Sequence, residues 1–450
     1  MKFGWRRISA QMALMALLCA SGFGIATAQE LRQAAGRSPV LDMTPVRPES
    51  VGFSSQRLER LHSLMQKTVD EKQLAGVVTL LARHGKIVDF RTYGYQDLAA
   101  KTPMKKDVIF RDFSMTKPIT GVAMMILYEE GKWLPSDPIS KFIPEFAHLK
   151  VYEGLDPMGR MILATPNHPP TMGELMTHTA GFTYGLFGKT PVDQMMVEKR
   201  VFASKNLQEF IDKMATIPLL YQPGTKWVYS VSSDIQGYIV EKLSGQSLPD
   251  FVHDHIFSPL GMTDSGFYVP EDKRNRFASL YVTGLHSQLL EDPTGGGLSG
   301  AFESQPTMPM GGGGVVSTAA DYYRFAQMLL NKGELGGTRI LSPSTVHLMM
   351  SNHISLNLLN DGFGIGNFIM QPGDGWGYDG AVAFNPAEAG FSEGRDTYSW
   401  AGVAGTWFWV DPANDIVFVG MTQRMMGPQS PDLEFESRAL VYQALVDPGK

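Results

Sequence analysis

Phe113-Ser114-Met115-Thr116-Lys117-Pro118-Ile119-Thr120 opens an apolar run that ends at Gly131, and this stretch decides how the 450-residue sequence is read. The pattern predicts a long helix from about Ser114 to Glu130, stopped by the glycine. A serine hydroxyl is a weak nucleophile until a neighbouring base takes its proton. A spacing of three puts Lys117 one turn on from Ser114, on the same helical face and within reach of its oxygen. The positive end of the helix dipole and burial both disfavour an ammonium there, which suits a lysine working as the base. The backbone N–H of Ser114 would face the cleft as an oxyanion donor. Pro118 removes the N–H that would bond the Ser114 carbonyl and restrains the backbone of Lys117, a local departure of the kind found at functional sites. Taken alone, S-x-x-K also occurs by chance at ordinary capped helices.

Two further segments add to it. Pro223-Gly224-Thr225-Lys226-Trp227-Val228-Tyr229-Ser230 reads as a turn leading into a helix with Ile235, Ile239 and Leu243 on one face, closed at Ser244-Gly245. A tyrosine just before a helix start can share a proton with Ser114 and Lys117 and protonate a leaving group, although a lone tyrosine is more often a core residue with a satisfied hydroxyl. Trp400-Ala401-Gly402 lies on a C-terminal strand and is followed by Val403. The small residues 401 and 402 would let a substrate lie along the strand edge, with the Val403 N–H as second oxyanion donor.

The order of these pieces resembles the serine β-lactamase and penicillin-binding-protein superfamily, whose motifs are S-x-x-K, Y-x-N or S-x-N, and K-T-G. Residues 114–120, 172–181, 259–263 (Pro-Leu-Gly-Met-Thr), 312–318 (Gly-Gly-Gly-Val-Val-Ser-Thr) and 408–412 (Phe-Trp-Val-Asp-Pro) look like its class C β-lactamase-related branch. Tyr229-Ser230 and a Trp-containing triplet make the likeness closest to the family VIII carboxylesterases. The resemblance implies an α/β (α+β) fold, an antiparallel sheet flanked by helices with an inserted all-α domain. It implies Ser114, Lys117 and Tyr229 as catalytic residues and Trp400, Ala401 and Gly402 as substrate-binding residues, with no metal and no cofactor. Two positions depart from the penicillin-interacting members: Val231 stands for the motif asparagine and Trp400 for the K-T-G lysine. Those groups help hold the amide and carboxylate of such substrates, so their loss argues for neutral esters. Arg395 or Arg424 would be the alternative source of a cation.

The organisation fits. Leu58 to Val69 has helical spacing, Val77 to Arg83 and Ile87 to Phe90 read as strands joined by His84-Gly85-Lys86, and Ala319 to Leu330 reads as a helix. Strands are expected again at 364–370, 398–402, 406–410 and 416–421, then a closing helix from Leu433 to Val446. Strands at both ends with helices between predict an α/β domain from 51–130 and 311–450 and a helical domain from 131–310, with a site in the cleft. Residues 1–28 read as a signal peptide: Lys2, Arg6 and Arg7, an apolar stretch around Met12 to Cys19, then Ala26-Thr27-Ala28 before Gln29. Residues 29–50 read as a linker.

Cleavage there would leave 422 residues and take the net charge from −6 to −9, which gives no reason to bind nucleic acid or an anionic membrane. It would also remove Cys19, the only cysteine, so no disulfide or thiolate chemistry is expected. The protein is expected to be exported, to the periplasm or beyond, and the sequence carries no signal for oligomeric state. Several motifs are set aside. Gly390-Phe391-Ser392-Glu393-Gly394 matches G-x-S-x-G but lacks a strand-to-helix elbow. His253 and His255 face different sides of a helix, His178 reads as a structural hydrogen-bonder, and residues 311–314 lack the Lys-Ser/Thr of a phosphate loop. The leading expectation is a serine carboxylesterase acting on small esters or amides through a Ser114 acyl-enzyme. A β-lactamase or D-amino-acid peptidase on the same machinery comes second, and a non-catalytic sensor of the same fold third.

Overall fold

In β1 (Gly76–Arg83) every residue is buried, although its side chains alternate between two faces. Val78, Leu80 and Ala82 join one core and Val77 and Leu81 another, so the strand is covered on both sides. The computed structural model describes residues 41–284, 288–292, 302–360, 363–364, 370–427 and 429–450. The expected signal peptide, most of the linker and all but the ends of the strand expected at 364–370 lie outside them.

β1 turns into β2 (Lys86–Asp97) through His84 and Gly85, both at positive φ (53° and 67°), the geometry of a two-residue hairpin. With β3 (Thr102–Pro103), β4 (Asp374–Trp376), β5 (Ala381–Ala383), β6 (Tyr398–Ala401), β7 (Trp407–Asp411) and β8 (Ile416–Thr422) they form one eight-stranded sheet in the order β4-β5-β6-β7-β8-β1-β2-β3. Every pair is antiparallel, and the two ends of the chain meet where Val77 pairs with Thr422 and Arg83 with Ile416.

Helices cover both faces. α1 (Ser55–Asp70), capped by the Ser54 side chain, packs Leu58, Leu61 and Met65 with Leu433 and Val441 of the C-terminal helix against Trp409 and Phe418. That closing helix ends at Tyr442, four residues before the expected Val446. On the other face lie α2 (Thr116–Glu129), α3 (Ser232–Ser244) and α4 (Ala319–Leu330), in the core that also takes Phe408, Val417 and Val419. Fully burying each such aliphatic or aromatic side chain is worth about 1.5–3 kcal/mol. The middle of the chain is less uniformly helical than its sequence suggests, since Val151–Leu155 and Met161–Ala164 form a hairpin. Its exposed Leu155, Ile162 and Leu163 hide the polar-apolar alternation that identifies a strand.

Candidate active site

The helix expected to begin at Ser114 begins differently. Phe113–Met115 form one 3-10 turn and the α-helix proper starts at Thr116. Phe113 has φ 45°, a conformation costly for a residue with a side chain, and it is held by burial and by an edge contact with Phe302 at 5.7 Å. The turn is fixed from three sides. Asp112 N–H donates to Val315 O (2.9 Å), Thr406 Oγ1 donates to Asp112 O (3.0 Å), and Tyr322 Oη of α4 donates to Met115 O (2.8 Å).

Lys117 is fully buried and its Nζ donates to Ser114 Oγ at 3.3 Å and to Gly312 O at 2.7 Å. The Lys117 nitrogen also lies over two rings, 4.7 Å from the centroid of Tyr229 and 5.3 Å from that of Tyr184. Two buried carboxyls act on the same volume. Burial lifts Asp234 to about 6 and Asp379 to about 7, in both cases against the pull of the Lys117 charge. His178, its ring tilted 35° to that of Tyr229 at 5.3 Å, is held well below the usual histidine range by burial and then by Lys117. Its Nδ1 accepts the Ser230 N–H (3.1 Å), so the ring is the neutral Nε2–H form and has no free base to offer.

Tyr229 is buried on the chain leading into α3, and its Oη accepts a hydrogen bond from Trp400 Nε1 at 3.2 Å. An indole N–H only donates, so this bond leaves the phenolic proton free to be aimed elsewhere. Trp400 is therefore placed differently from the sequence expectation. It is 2% exposed, edge-on to Trp376 at 4.5 Å, and does not line the cavity at Ser114. Gly402 and Ala401 are also outside that cavity. The Gly402 N–H donates to Thr406 O (2.7 Å), and a Cβ on Gly402 would sit 2.3 Å from Asp112 O. Its glycine serves the close approach of the chain after β6 to the serine turn. Val403 does line the cavity with Ser114, and its bond to the Met426 N–H uses the carbonyl and not its own N–H.

The cavity has a volume of about 200 Å³. Ser114, Tyr229 and Val403 meet there, walled by Phe113, Tyr184, Leu186, Phe187, Phe202 and Met310, with Gly312 and Gly313 between. No lysine or arginine is among these lining residues. Arg395 is exposed beside Asp396, and Arg424 is bonded to Thr283 and lines a separate, larger cavity behind residues 402–405.

A family model described as Beta-lactamase matches residues 61–443. The chain belongs to the Beta-lactamase family. It is 33% identical over 381 residues to Protein Rv1367c of Mycobacterium tuberculosis, covering 84% of this chain and 91% of that protein. It is 30% identical over 399 residues to Esterase EstB of Burkholderia gladioli, covering 85% and 94%. Among solved structures, EstCE1, described as a hydrolase with promiscuous acyltransferase activity, superimposes with a TM-score of 0.71 at 26% identity over 87% of this chain and 99% of that one. These matches bear out the resemblance and the fold read from the motifs.

Sequence reasoning missed Tyr184, Asp234, Asp379 and the apolar wall at Leu186, Phe187 and Phe202. For Asp234 a signal existed, because the sequence puts a carboxylate on the first turn of a helix at a position that is inward-facing. An acid in a first turn usually answers the helix dipole from the surface, so the position reads as unremarkable until burial is known.

Proposed function

We propose that this Beta-lactamase family member is a serine carboxylesterase for small, neutral esters, working through an acyl-enzyme on Ser114. Lys117 takes the hydroxyl proton as Ser114 Oγ attacks the ester carbonyl, and the new oxyanion is held by the N–H groups of Ser114 and Val403. The C–O bond to the alcohol then breaks, and Tyr229, with Lys117 behind it, returns a proton to the departing oxygen. Water enters and the steps run in reverse, releasing the acid and free Ser114.

The observation that carries the ester specificity is the cavity itself, apolar and without a cation on its lining. A desolvated substrate carboxylate left unpaired there costs a few kcal/mol, on the order of a hundredfold or more in rate. Its volume of about 200 Å³ falls below the roughly 300–1,000 Å³ of pockets that enclose drug-sized ligands, which favours short acyl groups. Measuring kcat/KM for p-nitrophenyl butyrate and for nitrocefin tests this. Butyrate hydrolysis should lead by at least about a hundredfold. Equal efficiency would hand the assignment to the β-lactamase reading.

The proposal includes export. The Lys2, Arg6 and Arg7 cluster, the apolar stretch and Ala26-Thr27-Ala28 support it. N-terminal sequencing of the mature protein should begin at Gln29.

A further inference from the structure

The glycine run 311–314 has no place in the mechanism so far, yet it lies across the start of α2. Thr120 Oγ1 donates to Gly311 O (2.7 Å), Lys117 Nζ to Gly312 O (2.7 Å), and the Val315 N–H to Thr116 Oγ1 (3.0 Å). On its other side the strap is held by α3, where Asp234 Oδ1 accepts the Gly312 N–H at 2.9 Å. A Cβ at 311 would lie 2.3 Å from Ser233 O, and one at 312 would lie 2.8 Å from Asp234 Oδ2, so only glycines let the strap sit this close to α3. Asp234 itself is wholly buried, does not line the Ser114 cavity, and leaves Oδ2 without a partner among the described residues.

We propose that Asp234 is a positioning residue for the reaction: by holding the Gly312 N–H it fixes the Gly312 carbonyl that keeps Lys117 Nζ at Ser114. This rests on the reading of Ser114 as nucleophile and Lys117 as base. A ligand that fixes the base but never touches substrate should act on kcat and not on KM. The carboxylate has a second effect, through charge. The groups that face it are Lys117 on α2, Asp379 on the turn between β4 and β5, and Tyr184 from a loop of the middle segment. Lys117 is the basic side chain among them, and its pull opposes the burial that lifts Asp234 to about 6. The carboxylate charge on the Gly312 N–H is therefore present above pH 6 and fades below it.

The test compares Asp234→Asn and Asp234→Ala with the wild type on p-nitrophenyl butyrate between pH 5 and 9, beside the rate at which a fluorophosphonate labels Ser114. Asn keeps an acceptor for Gly312 and loses the charge. D234N should keep kcat within about tenfold, with the acid limb of kcat/KM moved to lower pH. D234A should lose about a hundredfold in kcat, with KM within about threefold and labelling slowed in step. Wild-type labelling rates in D234A or an unmoved acid limb in D234N would each overturn the proposal. If D234A does not fold, the D234N profile decides alone. Failure of the wild type to label at Ser114 at all would instead overturn the assignment beneath it.

Discussion

Two segments of this chain carry a serine in a hydrolase-like motif, and the structure treats them in opposite ways. Ser114 stands on a strained turn at a helix start, beside a buried lysine and at the edge of an apolar cavity. Ser392 is exposed in the loop between the short helix Pro386–Ala389 and β6. The glycines and acid around Ser392 are used to pin that loop. Gly394 N–H donates to Asp411 Oδ2 (2.9 Å), and the buried Glu393 pairs with Arg438 at 2.9 Å. The lesson is that a serine motif means little without a base in reach and a dry volume in front of it.

The widest separation of the two serines is in activity. Ser114→Ala should lower ester turnover by about three orders of magnitude or more, while Ser392→Ala should stay within about twofold. Peptide mass spectrometry after fluorophosphonate treatment should find the label on the peptide carrying Ser114. Label on Ser392 would invert the comparison.

Next in size are the residues that activate Ser114. Lys117→Ala and Tyr229→Phe should each cost about a hundredfold in kcat. The Lys117 nitrogen lies 4.7 Å from the centroid of the Tyr229 ring, so the losses should not multiply in the double variant. A double loss equal to the product would mean two separate proton paths.

The contrast also explains what the sequence made legible. The spacing from Ser114 to Lys117 survives even though the first turn is 3-10 rather than α, because three residues bring side chains together in either geometry. The strands β1, β6, β7 and β8 were readable because aromatic and β-branched runs leave few alternatives. The short strands β4 and β5 were not, since Asp-Gly-Trp and Ala-Val-Ala are too brief to show a period. At the site, the misplaced residue was Trp400. A tryptophan in a strand advertises an apolar face, and nothing in one dimension says that its N–H will be spent on Tyr229. At Gly402 the close approach to Asp112 O is equally hidden, because a glycine needed for backbone approach looks the same in sequence as one that leaves room for substrate.

Trp400 therefore sharpens the comparison at a smaller scale. Trp400→Phe keeps an aromatic ring against Trp376 and removes the donor to Tyr229 Oη. A neutral hydrogen bond is worth about 0.5–1.5 kcal/mol, so kcat should fall by about threefold to tenfold, with KM little changed because the residue does not line the cavity. A rise in KM with kcat intact would put Trp400 back against the substrate.

The smallest effect expected is at the mouth of the cavity. Phe187 is 39% exposed and Leu186 41%, large apolar side chains that lack full cover until something apolar lies on them. An acyl group that covers on the order of 40 Å² of the Phe187 ring gains about 1 kcal/mol, or roughly fivefold in affinity. Phe187→Ala should therefore raise KM for p-nitrophenyl butyrate by about fivefold and leave kcat within about twofold, the pattern of lost uniform binding. The ring also lies 5.6 Å from Tyr184 and 5.9 Å from Tyr229, so a second outcome is distinguishable. If kcat falls while KM holds, Phe187 supports the tyrosine that works on the leaving group instead of greeting the substrate. The acyl series separates the two further. A wall that binds the chain loses more with hexanoate than with acetate, whereas a ring that only props Tyr229 loses the same with both.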